Sequence, residues 1–394
     1  KADSVWSSHL NNFETHLKQI LIAYTKGILT DEMLNVLVDE EPFRSGTIMH
    51  TSKSLKTTPP LLILQGPPGT GKSHNLKQKI QEYGLTDESP QLERIVGHPE
   101  LSSADFIGSY RPSTNDQGQL SYEFVMGPFT KLLKKARENL GVPHILIIEE
   151  LNRCNAAAMF AEVFQLLDRD DEGNSEYACS LGQDVNKALG LDVDDKVKLP
   201  ANLAIWATIN TADQGVFPMD TAFKRRWSFK YLGVNKGREE WQKLEWNPKL
   251  PTYEALTWQS LRLGLNHALA SVGIEEDRHL GGFFLSKREL KAGLLLESIS
   301  TKVIGYLRDD VLRYEPQLLF KSDEQGFVPG FSRLLEQIEA QGLLSIFNSS
   351  ILELEFHDVT KNKLSFQKVL NYIDSKRSAH KPVQEQANQT GGDQ

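Results

Sequence analysis

After an apolar stretch the chain runs Gly66-Pro67-Pro68-Gly69-Thr70-Gly71-Lys72-Ser73. These eight residues satisfy the pattern G-x-x-x-x-G-K-[ST] at every fixed position. An apolar run, Leu61-Leu62-Ile63-Leu64, leads into it, and a helical pattern from Lys72 to Tyr83 follows. Strand, glycine-bearing loop and helix in that order constrain the fold strongly. Glycines let successive backbone N–H groups curl around phosphate oxygens without side-chain clash. The helix start adds partial positive charge at the same place. Lys72 supplies a mobile cation to the β- and γ-phosphates, and Ser73 offers a hydroxyl to Mg²⁺. Gly66, Pro67, Pro68, Gly69, Thr70, Gly71, Lys72 and Ser73 are therefore the expected nucleotide-binding residues.

The loop sits in an alternating pattern. Further short apolar runs occur at Arg94–Val96, Ile145–Ile148, Leu203–Ile209 and Ser228–Tyr231, with helical segments near Pro128–Asn139 and Ala156–Asp168. Such alternation predicts an α/β domain, a mostly parallel sheet covered by helices on both faces. Residues 169–200 are acidic and polar and read as an inserted hairpin or loop. Ser102-Ser103-Ala104-Asp105-Phe106 reads as a capped helix start; either Phe106 is a buried aromatic, or the loop after the second strand faces a ring pore with Phe106 or Tyr110 as contact residue. Beyond 235 the strand pattern fades, and Trp258–Ser271, Lys287–Ser298 and Thr301–Tyr314 look helical. The expected organisation is an N-terminal helical segment over 1–51, the α/β nucleotide-binding domain over 52–234 (its first residues a linker), a helical lid over 235–375, and a disordered tail over 376–394.

Three more elements bear on chemistry. Ile145-Leu146-Ile147-Ile148-Glu149-Glu150 ends a buried strand in two acids, at the strand end where open parallel sheets bind ligands. Glu149 is placed to hold Mg²⁺ through its waters, and Glu150 to orient and polarise an attacking water. Asn210 ends the fourth strand; it either caps an Asx turn or hydrogen-bonds the water or γ-phosphate. Phe223-Lys224-Arg225-Arg226-Trp227 puts three cations before the fifth strand. They are either a solvated or salt-bridged basic turn, or they reach a neighbouring subunit's γ-phosphate. The expected pocket brings the loop strand and the acid-bearing strand side by side, with both acids facing the loop.

The order of these elements resembles an AAA+ module, and in particular the McrB-type motors of modification-dependent restriction systems. The resemblance rests on His98-Pro99, Ala104 to Pro112, Gly127-Pro128-Phe129, Glu149-Glu150-Leu151-Asn152-Arg153, Asn210-Thr211-Ala212-Asp213 and Phe223 to Phe229. It covers roughly residues 60–232 and extends more loosely to about 320. It implies hexameric rings with nucleotide between subunits, GTP hydrolysis stimulated by a nuclease-bearing McrC-like partner, and work on DNA. It places Asn210 at the sensor position, Arg225 and Arg226 on the inter-subunit fingers, and Arg153 near a subunit boundary. GTP or ATP is the expected nucleotide, with the McrB likeness favouring GTP and the wider class ATP. The departures are Glu149 for the usual Asp, Lys224 for an Arg, and Gln214-Gly215 for Arg-Ser; they bear on hydrolysis rate more than on binding. The alternatives are a MoxR-like ATPase chaperone that remodels protein complexes, and a nucleotide-gated scaffold that does not turn over.

Whole-chain properties bound the rest. A net charge of -8 over 394 residues argues against a broadly basic nucleic-acid binder while leaving room for a local basic pore. The two cysteines, Cys154 and Cys179, lack metal-ligand spacing, which fits a reducing cytoplasm. No apolar run approaches the ~18 residues of a membrane helix, and no basic-then-apolar leader opens the chain. Lys1 rather than Met stands first, as in a processed or truncated form.

Overall fold

The computed structural model describes residues 55, 58–114, 118, 120–212, 216–235, 252–291, 294–357 and 363–377, all within one compact unit, Lys53–Gln394. The expected segment over 1–51, Asp213, Gln214 and Gly215, and the tail beyond 377 lie outside these residues.

Five parallel strands form the central sheet: β1 (Leu61–Gly66), β2 (Leu92–Val96), β5 (His144–Glu149), β6 (Leu203–Asn210) and β7 (Ser228–Tyr231). Their spatial order is β2-β5-β6-β1-β7. The apolar runs are continuous because each central strand is buried on both faces. Leu61 and Ile63 point into one core with Leu146, Ile148, Ile205 and Ala207. Leu62 and Leu64 point into the other, with Ile145, Ile147, Ala204 and Trp206. The helix Pro128–Glu138 supplies Phe129, Leu132 and Leu133 to the first core, and the helix Lys72–Gln81 supplies Leu76 and Ile80 to the second.

Parallel register brings the functional strand ends to one edge. Gly66 pairs with Asn210, and Ile148 pairs with Ala207, which sets Thr208 level with Glu149. The expectation that the loop strand and the acid strand are neighbours is corrected here, because β6 lies between β1 and β5. The gap is one strand wide, about 10 Å between backbones, and long side chains close it.

Three regions differ from the sequence reading. The capped helix at Ser103–Ile107 forms, with Ser102 and Asp105 making a reciprocal capping box, and Phe106 is fully buried. It is followed directly by an antiparallel hairpin, β3 (Gly108–Thr114) with β4 (Leu120–Met126), where only a loop was expected. The 169–200 insert is only partly surface: it holds the helix Gln183–Ala188 and buries Val185, Val197 and Leu199 in the first core. Its Arg169 guanidinium donates to the carbonyls of Gly173, Leu199 and Leu203, and burial pushes its pKa down to about 10. The lid is helical around Thr252–Ser271, but Thr301–Tyr314 forms wide π turns at Ile299–Val303 and Tyr306–Val311, and a small hairpin joins β8 (Glu355–His357) to β9 (Lys363–Ser365). Helix Phe366–Arg377 runs two residues into the expected tail.

Candidate functional site

The phosphate loop leaves β1 and turns into the helix Lys72–Gln81 through three glycines, required for two different reasons. Gly69 and Gly71 have φ of +73° and +81°, the left-handed region that a side chain disfavours. At Gly66 any Cβ would stand 2.3 Å from the Leu232 carbonyl oxygen.

Lys72 is 7 % exposed. Its ammonium donates to the carbonyls of Gly66 (3.0 Å) and Pro67 (2.9 Å) and to Asn210 Oδ1 (2.5 Å). The Asn210 amide donates in turn to Glu150 Oε1 at 2.9 Å. Asn210 is therefore neither a turn cap nor a bystander: its side chain links the loop lysine to the second acid. Glu150 has φ of +53°, the one positive value among the described non-glycine residues, at the bend where β5 ends. That conformation is costly and is held by its surroundings, as at many working sites. One tie is visible, because the Glu150 backbone N–H donates to Thr208 Oγ1 at 3.1 Å.

The same Thr208 hydroxyl donates to Glu149 Oε2 at 3.1 Å, and Ser73 Oγ donates to that oxygen at 2.7 Å. Thus Ser73 and Glu149 meet across the gap left by β6. An alcohol oxygen beside a carboxylate is a donor set that suits Mg²⁺, which takes few protein ligands and keeps phosphates and waters for the rest. Among the described residues no cluster of three or more His, Cys, Asp and Glu forms a metal cage.

Lys72, Ser73, Glu150 and Asn210 line a cleft of about 470 Å³, roomy enough for a small organic ligand, and Glu149 adjoins it through its bond from Ser73. The lid closes one side of it. Gly281 N–H donates to the Pro68 carbonyl at 2.9 Å and Phe283 N–H to the Gly69 carbonyl at 2.7 Å. The approach needs glycine on both partners, since a Cβ on Gly281 would stand 2.2 Å from the Gly69 carbonyl carbon. His74, Phe283 and Lys287 line the cleft as well, and the His74 and Phe283 rings lie 5.9 Å apart. None of Thr208, Phe283 and Lys287 stands out in the sequence. The doublet Gly281-Gly282 before aromatic and basic residues is the one signal it offers there.

The arginines separate into two kinds. Arg226 forms an ion pair with Asp168 at 2.6 Å, donates to the Ala222 carbonyl at 2.7 Å and lies 4.0 Å over the Phe164 ring. The salt-bridged reading of the basic turn describes it. Arg225 and Arg153 are exposed, and Asn152 is buried with its amide donating to the Asn210 carbonyl at 2.9 Å. The two cysteines are free thiols; burial pushes Cys154 up to about 11, so it stays protonated. Among the described residues no helix is long and apolar enough to cross a membrane.

Comparison with known proteins agrees with this geometry. Residues 61–227 match the AAA domain of the dynein-related subfamily. The YdiS component of the type II restriction enzyme BsuMI from Bacillus subtilis is 34 % identical over 75 % of this chain and 90 % of its own length. The EcoKMcrB subunit of a type IV methyl-directed restriction enzyme from Escherichia coli is 33 % identical over 43 % of this chain, and the match covers 34 % of that protein. A structure of an ATPase from Cytophaga hutchinsonii superposes loosely, with a TM-score of 0.30 and 15 % identity over 81 % of this chain and 85 % of its own. With its 2-5-6-1-7 sheet order, its phosphate loop and a relative matched over nearly full length, the chain belongs to the McrB-like AAA+ ATPases of restriction systems.

Proposed function

We propose that this chain is the ring-forming motor subunit of a DNA restriction or defence complex, hydrolysing GTP in preference to ATP and handing DNA to a separate nuclease-bearing, McrC-like subunit in the cytoplasm. The observation that carries the motor part is that Lys72, Ser73, Glu150 and Asn210 line one cleft, with Glu149 hydrogen-bonded to Ser73 beside it. The restriction context is supported by the two named relatives.

In this reading the glycine-bearing loop and Lys72 bind the phosphates. Ser73 and Glu149 would hold Mg²⁺, which when bound neutralises charge on the phosphate oxygens. Glu150 orients the attacking water and accepts its proton. Asn210 exchanges its bond to Lys72 for one to the γ-phosphate or to that water, adding no negative charge. Arg225, exposed just before β7, stabilises transition-state charge on a nucleotide held by the next subunit, with Arg153 beside the same boundary. Arg226 holds that turn in place.

The experiment measures GTP and ATP turnover, with and without duplex DNA and a candidate nuclease subunit, on one sample whose mass in solution is known. GTP turnover by a multimer, raised by the partner, is expected. Absence of turnover of either nucleotide under all conditions overturns the motor reading, and stimulation by a protein client but not by DNA overturns the restriction reading.

A further inference from the structure

The carboxylate expected to face the metal is a glutamate, and it is gripped from behind. Arg94, on the neighbouring β2, donates from one terminal nitrogen to Glu149 Oε1 at 2.5 Å and from the other to Asp87 Oδ1 at 2.8 Å. Asp87 also pairs with Lys77 at 3.3 Å. The opposite oxygen, Glu149 Oε2, takes the Ser73 and Thr208 hydroxyls. The two oxygens of Glu149 thus face opposite ways, Oε1 toward a guanidinium and Oε2 toward the loop.

Strand geometry explains why the pair can form. Val96 is opposite Glu149 in the β2–β5 register, and Arg94 lies two residues earlier on the same face. Leu92 on that face packs with Ile145 and Ile147, so the face is apolar until Arg94 and Glu149 end it at the rim. The pair is half-sheltered, with side chains 29 % and 15 % exposed, so the contact is less screened than a surface ion pair. An aspartate would withdraw the carboxylate by one C–C bond, about 1.5 Å, and put the Arg94 contact beyond hydrogen-bond reach.

We infer that Arg94 is a positioning residue for the metal site: it pins Oε1 of Glu149 so that Oε2 is presented to Mg²⁺ beside Ser73, and Glu rather than Asp stands at 149 because only the longer side chain meets both. This rests on the phosphate-loop reading of the cleft. The surface counterpart of the network, Asp87, is held below the usual carboxylate range chiefly by the Arg94 hydrogen bond, consistent with a guanidinium kept in one place.

The test is the Mg²⁺ dependence of fluorescent GTP and ATP analogue binding, measured at equilibrium in Arg94→Ala, Arg94→Lys, Glu149→Asp and the double variant Arg94→Ala/Glu149→Asp, each checked for a native melting transition. Arg94→Ala is expected to raise the half-saturating Mg²⁺ at least about fivefold while leaving affinity in EDTA within twofold. Arg94→Lys, which keeps one donor, is expected to restore part of it. Glu149→Asp is expected to shift the Mg²⁺ dependence by itself, and adding Arg94→Ala to it to change nothing more. An unchanged half-saturation in Arg94→Ala, an equal loss of affinity in EDTA, or additive effects in the double variant would each overturn the assignment. Failure of the underlying reading looks different: wild type would then bind neither analogue at any Mg²⁺ concentration.

Discussion

The phosphate cleft and the arginine turn at Phe223–Ser228 are both polar, but they are built in opposite ways. In the cleft every functional group meets another on the same chain: Lys72 with Asn210, Asn210 with Glu150, Ser73 and Thr208 with Glu149, Arg94 with Glu149. In the turn two adjacent arginines diverge, with Arg226 tied inward to Asp168 and Arg225 exposed. A site completed within one subunit holds its geometry before any ligand arrives, which removes reorganisation from the reaction. A lone exposed guanidinium needs a neighbour to act on. The contrast predicts that cleft variants fail as single subunits, whereas loss of the exposed Arg225 fails only as an assembly.

The largest effect is expected at the centre of the cleft. Lys72→Ala removes the cation and a buried donor to three acceptors, so nucleotide affinity should fall by roughly 10³-fold or more. Equilibrium binding of a fluorescent nucleotide checks this, and affinity close to wild type would contradict the cleft assignment. Next, Glu150→Gln keeps shape and the bond from Asn210 but removes the proton acceptor. Single-turnover hydrolysis should slow by roughly 10²–10⁴-fold while binding persists. A rate near wild type would mean that the water is oriented elsewhere.

The cleft is also the most legible part of the sequence. Gly66 to Ser73, Glu149, Glu150 and Asn210 can be placed because a strand's apolar run states where the strand ends, and parallel strands put their carboxyl ends together. Strand order is not local information, which is why the position of β6 between β1 and β5 does not show in the sequence. Arg94 and Thr208 are hidden for a related reason: each looks like an ordinary strand residue until register sets it beside Glu149. The β3–β4 hairpin escapes notice because Leu120, Tyr122 and Phe124 alternate on a mostly exposed ribbon and bury too little to stand out. In the lid, π turns and short 3₁₀ segments blur the helical period, so its helices can be located but not bounded.

Arg225→Ala sharpens the comparison further. Its guanidinium is exposed, so nucleotide affinity and melting temperature should match wild type, whereas turnover of the assembled protein should drop about 10²-fold, less than a lone finger is worth because Arg153 offers a second exposed cation. Mixing Arg225→Ala with Lys72→Ala subunits is the sharper measurement. If the arginine acts across a boundary, mixed assemblies regain turnover wherever a sound cleft faces a sound arginine; no recovery at any ratio would put Arg225 in the bland basic turn.

The smallest effect on chemistry, and the largest on folding, belongs to the neighbouring residue. Arg226 has a 7 % exposed side chain, pairs with Asp168 and covers the Phe164 ring. Arg226→Met keeps much of the stem packing but loses the guanidinium over the Phe164 ring and leaves the Asp168 carboxylate, 28 % exposed, to water. Because that carboxylate can rehydrate, the cost should be about 1–2 kcal/mol rather than that of a fully buried broken pair. Chemical denaturation reads that loss as a lower midpoint at unchanged slope. Turnover of the folded fraction should fall only a few-fold, through a loosened turn that aims Arg225 less well. A loss of turnover as deep as in Arg225→Ala, with no loss of stability, would instead make Arg226 the reaching cation and reverse the division between the two arginines.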